Sequence, residues 1–180
     1  MRLADLVEGF QGVAFGTMDG LITVLGVVIG VASATGNYSI VVISGVIAGV
    51  ANAFGNSIGF YASELAERGE HIHENQHVSS MAETKRSTVL SFAASLVSML
   101  VPVLPFVLLV NLGAAMVLSA AFGLSILFIL GALVGKLSRE CPWRFGFRYV
   151  LLGVAGAALS FLIGDILKDW LSFGRWVPPW

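Results

Sequence analysis

Residues 16–30 read GTMDGLITVLGVVIG, an apolar run that carries one carboxylate, Asp19, near its start. Asp19, Thr23, Gly26 and Gly30 stand at offsets 0, 4, 7 and 11; at about 100° per residue they form one stripe of a helix. The apolar run extends from about residue 12 to 34, enough to cross roughly 30 Å of hydrocarbon at about 1.5 Å per residue. Four further runs of that kind follow, over about 39–63, 88–110, 113–135 and 147–169. The spacing therefore predicts an all-α polytopic membrane protein with five transmembrane helices.

Composition agrees with that reading. The chain is 57% hydrophobic and 12% charged, with a mean hydropathy of +0.88, whereas soluble domains carry about 25% charged residues. The first run lacks a basic leader and a small-residue cleavage site, so it reads as a retained helix and not a signal peptide. A single cysteine, Cys141, excludes an intrachain disulfide or a CxxC pair. A formal charge of −1 leaves no basic face for nucleic acid. The chain has no nucleophile elbow, HExxH or phosphate-binding glycine loop, nor paired Glu-x-x-His motifs of a di-iron bundle, so an enzyme is not expected.

Short cytosolic loops are enriched in lysine and arginine. Arg2, Arg68, Lys85, Arg86, Lys136, Arg139, Arg144 and Arg148, eight of ten basic residues, fall at one end of the five spans. Lys168 and Arg175 fall at the other. The N-terminus and the 64–87 linker are expected in the cytosol and the C-terminus outside or in a lumen. Three segments result: spans 1 and 2 with an ion pathway (1–63), a Glu/His-rich linker (64–87) and spans 3 to 5 (88–180).

Span 2 carries a second stripe. Gly45, Gly49, Asn52, Asn56, Gly59 and Ser63 have offsets 0, 4, 7, 11, 14 and 18, one small and polar face. Asp19 lies about seven residues inside span 1, roughly 10 Å deep, with Asn56 at a similar depth. A carboxylate there costs at least about 2.5 kcal/mol unless paired or hydrated. Asp19 is then either a pathway group or a protonated acid bonded to a neighbouring helix. Asn52 and Asn56 either line a pathway or act as interhelical hydrogen-bond glue. Gly26 and Gly30 form a GxxxG, at which two backbones approach closely.

Beyond span 2, residues 64–77 read ELAERGEHIHENQH, with four glutamates and all three histidines of the chain. On a continuing helix Glu64, Glu67, Glu70, His71, Glu74 and His77 share an arc of about 140°, with His73 about 40° outside it. Oxygen and imidazole ligands suit iron(II), manganese(II) or zinc, and the absence of thiolates disfavours copper(I). One helix cannot surround an ion, so Glu83 or a second subunit would complete the site. The alternative is a solvated amphipathic helix.

GVAFGTMDGLITVLGVVIGVASATG (12–36), SGVIAGVANAFGNSIGFYASELAERGE (44–70) and YVLLGVAGAALSFLIGDIL (149–167) resemble the first, second and fifth helices of the vacuolar iron transporter family. The resemblance implies a homodimeric, proton-coupled exporter of cytosolic iron(II) or manganese(II), with the metal as cargo and no tightly bound cofactor. Asp19 matches the family's intramembrane aspartate. Where the family's second helix reads like SMAxGEYVS, this chain has NAFGNSIGF (52–60). Asn52 or Ala53 takes the methionine position and Asn56 the glutamate position, and the linker is short for the family.

The residues lead to a related picture without the resemblance. Five helices with one acid in the first span hardly enclose an ion path alone, and the Gly-lined stripe of span 1 invites a symmetric partner. Two Asp19 carboxylates facing across a twofold axis would share protons or bind a divalent cation. The competing class is a non-transporting membrane scaffold or metal sensor with a cytosolic metal-binding helix.

Overall fold

The computed structural model describes residues 3–73 and 80–173, with side chains for 10–69 and 80–170. Five helices account for the described chain: α1 (Leu3–Thr35), α2 (Tyr38–His73), α3 (Met81–Leu108), α4 (Leu112–Leu137) and α5 (Pro142–Phe173). All five are long and apolar enough to cross a membrane, with spans Phe10–Thr35, Tyr38–Gly69, Met81–Leu108, Leu112–Leu137 and Pro142–Trp170. No strand occurs among the described residues.

The helices outrun the apolar runs that announce them. α2 continues through Glu64 and Glu67 to His73, and α3 starts at Met81, inside the stretch assigned above to the linker. A helix propagates past the hydrocarbon edge wherever its sequence lacks a stop. The start of α3 has its own signal, Ser80-Met-Ala-Glu83: the Ser80 hydroxyl accepts from the Glu83 N–H at 3.2 Å, and the Glu83 carboxylate accepts from the Ser80 N–H at 2.5 Å. This reciprocal capping box satisfies two N-terminal donors. The break between α1 and α2 falls at Gly36, whose φ of 62° is left-handed, the conformation glycine adopts without a Cβ penalty. Its N–H returns to the Ala32 carbonyl at 3.0 Å.

α1 is the central helix, packed against each of the other four. α2, α3, α4 and α5 follow one another around it, each touching the next except that α5 is not packed along α2, so one flank of α1 lies open. Lipid is as apolar as leucine, so helix association in a bilayer depends on close packing and polar contacts more than on hydrophobic burial. The close approaches are built from small residues. A Cβ placed on Gly12 or Gly16 would overlap the carbonyls of Ser87 and Ser91, and one on Gly20 would lie 2.9 Å from the Ser95 carbonyl oxygen. Three glycines four residues apart on α1 thus meet a buried row of serines on α3, Ser87, Ser91, Ser95 and Ser98.

Gly26 and Gly30 make a second such seam, but with α5: a Cβ on Gly26 would stand 2.9 Å from the Ser160 hydroxyl, and one on Gly30 2.8 Å from the Ser160 carbonyl oxygen. This differs from the expectation of a facing subunit. The GxxxG is filled within the chain, because periodicity identifies a face that needs a close neighbour and not which neighbour it is.

Beyond Asp19 toward the α1–α2 turn, the interior is hydrocarbon. Val24, Leu25, Val28, Ile29 and Ala32 of α1 cluster with Val41, Val103, Phe106 and Ala115.

Candidate functional site

The polar half of the bundle lies between this apolar cluster and the end that carries most of the basic residues. Reading α1 and α2 as antiparallel neighbours, three levels succeed one another from that end inward. The Gln11 amide donates to Glu64 at 3.4 Å. One turn deeper, Phe15 and Phe60 stack with ring centroids 5.4 Å apart. Another turn deeper, the Asn52 amide donates to an Asp19 carboxylate oxygen at 2.6 Å.

The Asp19–Asn52 bond is the centre of the site. Asp19 is half-buried and lies nine residues inside the Phe10–Thr35 span, about 13 Å at the helical rise. Asn52 reaches it because it belongs to the small and polar face of α2, whose Gly45–Asn56 part packs toward α1 and α3, whereas Gly59 and Ser63 are exposed. Asn56, on the same face, donates to the Ser95 hydroxyl at 3.1 Å, and that hydroxyl donates to the Gly16 carbonyl at 2.9 Å. Three helices are therefore tied at one depth by Asp19, Asn52, Asn56 and Ser95. In a membrane such bonds are worth about 0.6–2 kcal/mol each.

The bonding leaves oxygen acceptors to spare. Each asparagine uses its amide N–H in the contacts above, so its carbonyl oxygen remains, as does one Asp19 oxygen. An arrangement of one carboxylate and two amide oxygens can hold a hard or borderline divalent ion, and the carboxylate can hold a proton in its place.

Not every residue of the stripes joins this group. Thr23 lines a groove between α1 and α5 with Gly26, Gly30, Ser160 and Gly164, away from the asparagines. The stripe of α1 thus splits between two neighbours, Asp19 to α2 and the glycines to α5. A further acid of the membrane spans, Asp165, is exposed on α5 in its far half.

The Glu/His stretch is described only in part. Glu64, Glu67 and Glu83 have described side chains, whereas Glu70 and His71 are described as helical backbone alone, and Glu74 and His77 lie outside the described residues. Among the described residues no three His, Cys, Asp or Glu side chains converge. Glu64 faces Gln11 and Glu83 holds the capping box of α3, a structural duty that the Ser-x-x-Glu spacing signals and that competes with metal ligation.

Sequence reasoning from the acid outward also missed Ser95, the hydrogen-bonded link between Asn56 and Gly16. Its signal is the row Ser87, Ser91, Ser95 and Ser98, at offsets 0, 4, 8 and 11 in an apolar span.

The model of the VIT family matches residues 10–86 and 65–165, so the match takes in α2, α3 and α4, most of α1 and α5, and the Asp19–Asn52 pair. The chain belongs to the VIT family. This agrees with the resemblance read from helices 1, 2 and 5. Among relatives, the chain is 29% identical over 179 residues to "Uncharacterized protein MJ0645" of Methanocaldococcus jannaschii, covering 89% of this chain and 93% of that protein. As a VIT-family member the chain is an integral, multi-pass membrane protein of a metal-ion transporter family.

Proposed function

We propose that the protein moves a divalent metal, iron(II) or manganese(II), out of the cytosol in exchange for protons, as a homodimer whose pathway runs along α1 and α2. The observation that carries this reading is the Asn52–Asp19 hydrogen bond, 2.6 Å long, which fixes an intramembrane carboxylate on the polar face of α2. One group that binds either a proton or a cation is sufficient for exchange. VIT-family membership supports metal as the cargo.

The dimer is supported by the open flank of α1 between α2 and α5. α2 also presents Gly55 and Gly59, where an added Cβ would meet nothing within 4 Å, and the exposed apolar side chains Ile47 and Ile58. A second copy on that side brings two Asp19 sites toward one axis. Uptake of iron(II), manganese(II), zinc and cobalt into vesicles containing only this chain tests the reading; no uptake of any of them refutes it and favours the scaffold or sensor class.

Export requires the basic end to be cytosolic. In a Cys141→Ser background, cysteine at Arg139 is expected to react with an impermeant maleimide only from the cytosolic side. Cysteine at Val110, which is 95% exposed in the α3–α4 turn, should react only from the other. The reverse pattern turns export into import.

The Glu/His stretch is proposed as a cytosolic metal-docking helix. Replacing His71 and Glu74 together should weaken metal binding while the transmembrane helices stay folded, since both residues follow the apolar run of span 2 in the sequence. A ligating imidazole must be neutral, so binding weakens as pH falls through about 6.5. Calorimetry on a chain without its three histidines checks this; undiminished affinity makes the stretch a solvated face only.

A further inference from the structure

We propose that the outer face at the start of α5 binds an anionic glycerophospholipid, its phosphate held by Arg144 and Arg148 and an acyl chain lying along Trp143 and Phe147. The inference does not depend on the transport reading. Trp143 stands at the second position of the span Pro142–Trp170, where headgroups meet hydrocarbon and aromatic rings settle. The inner side of this helix is marked by Gly146 and Gly153, where a Cβ would overlap the Phe128 ring and the Leu127 side chain of α4. Trp143 and Phe147, one turn apart, both pack on Phe128 with ring centroids 5.5 Å away. They nevertheless remain 66% and 57% exposed, and Leu151 continues the row one turn deeper at 66%. Phe128 thus holds two rings in place, and their outer surfaces form an apolar strip running from the membrane edge inward.

Arg144 and Arg148 flank that strip. Each follows one of its aromatic residues, about 100° further round the helix, and both are exposed. The guanidinium carbon of Arg148 lies 5.2 Å from the Phe145 ring centroid, so this side chain folds back toward the start of α5, the level at which Arg144 stands. Two cations four residues apart on one helix face repel each other, and among the described residues neither is paired with an acid. Residues 136–148 hold Lys136, Arg139, Arg144 and Arg148 against one acid, Glu140. The charge complement of the face is therefore an anion, and the adjoining apolar strip makes it a lipid's. A guanidinium takes phosphate oxygens in pairs. A net-negative headgroup relieves the repulsion between the arginines, whereas a choline headgroup carries a cation of its own into it. A second copy docked on this face across a twofold axis would add two more arginines and relieve nothing.

The test uses the full chain with Trp170→Phe, Trp176→Phe and Trp180→Phe, which leaves Trp143 as its one tryptophan. Brominated acyl chains quench a tryptophan they touch, so vesicles mixing brominated phosphatidylglycerol with phosphatidylcholine, and the reverse, give the relative affinity of the two lipids at Trp143. Phosphatidylglycerol is expected to be favoured on the order of tenfold at low salt, the scale of one to two basic residues at about fivefold each. High salt should shrink that ratio. Arg144→Gln with Arg148→Gln should bring it close to one, while brominated phosphatidylcholine still quenches Trp143 and so shows that the helix remains in place. Lys168→Gln, at the other end of the span, should leave the ratio unchanged. A ratio near one in the parent, or a preference that survives the double substitution, overturns the assignment. So does a Trp143 that neither brominated lipid quenches, since the face is then covered by protein, such as a second copy of the chain.

Discussion

Asp19→Asn is expected to insert and fold normally and to lose divalent-metal flux by about a hundredfold or more. The size follows from charge. A unit charge at about 4 Å from another contributes about 4 kcal/mol at an effective dielectric constant near 20, and a divalent ion roughly doubles the attraction, so even a heavily screened loss exceeds tenfold twice over. Packing should survive because the amide is nearly isosteric with the carboxylate and still offers an oxygen to the Asn52 N–H. The remaining conductance should lose its dependence on a pH gradient, since an amide exchanges no proton in the working range. Uptake of manganese(II) into vesicles, normalised to inserted protein, checks it. Parental rates would make Asp19 a structural acid, held by Asn52 as interhelical glue, and would favour the scaffold class over the transporter.

The second large effect concerns folding. Gly16→Leu is expected to abolish recovery of folded protein, with a loss of at least about 3 kcal/mol, the upper part of the ordinary range for overpacking. The Cβ alone would overlap the Ser91 carbonyl oxygen and approach its carbonyl carbon at 2.9 Å and its Cα at 3.0 Å. Those are backbone atoms of α3, which cannot rotate aside, so the two helices must separate. Separation also breaks the Ser95–Gly16 hydrogen bond and the link to Asn56. Gly69→Ala is the control: nothing lies within 4 Å of a Cβ built there, and it should be recovered in parental yield with a melting profile no lower than the parent's. Size-exclusion chromatography and thermal melts in detergent compare them. If Gly16→Leu gives a parental monodisperse peak, the glycine–serine seam is not what holds α1 in the centre of the bundle.

These two residues show what the sequence made legible. The five spans and the partition of their basic residues were readable because hydrocarbon imposes a length and a polarity that no other environment requires. Asp19 stood out for the same reason, as a charge in a run that resists charge. The polar face of α2 could be read as well, since Asn52, Asn56 and the glycines recur at the helical period. What periodicity could not supply was the identity of the neighbours. Gly26 and Gly30 pack on α5 within the chain, and Thr23 goes with them. The stripe Gly12, Gly16 and Gly20 occupies another face of the same helix, and its partner, the serine row of α3, looked like ordinary small residues in an apolar span. Glu83 appeared to belong with the acidic cluster because it is close in sequence, whereas the local chemistry of a helix start claims it for a capping box.

On the proposed exchange reading, Asn56 offers an oxygen but no exchangeable acid proton, so proton exchange would fall to Asp19 within this group, with the asparagines contributing neutral oxygens. In a dimer each pathway axis would then carry two titratable carboxylates, one from each subunit.

The central claim is that metal and protons exchange at Asp19. Its most direct test is manganese(II) uptake into vesicles of the purified wild-type chain with a pH dye in the lumen. The account predicts that manganese entry raises the lumen pH as protons leave, and that an acidic lumen accelerates entry, with both responses absent from Asp19→Asn. Manganese entry that proceeds at the same rate with or without a pH gradient, and leaves the lumen pH unchanged, would contradict it.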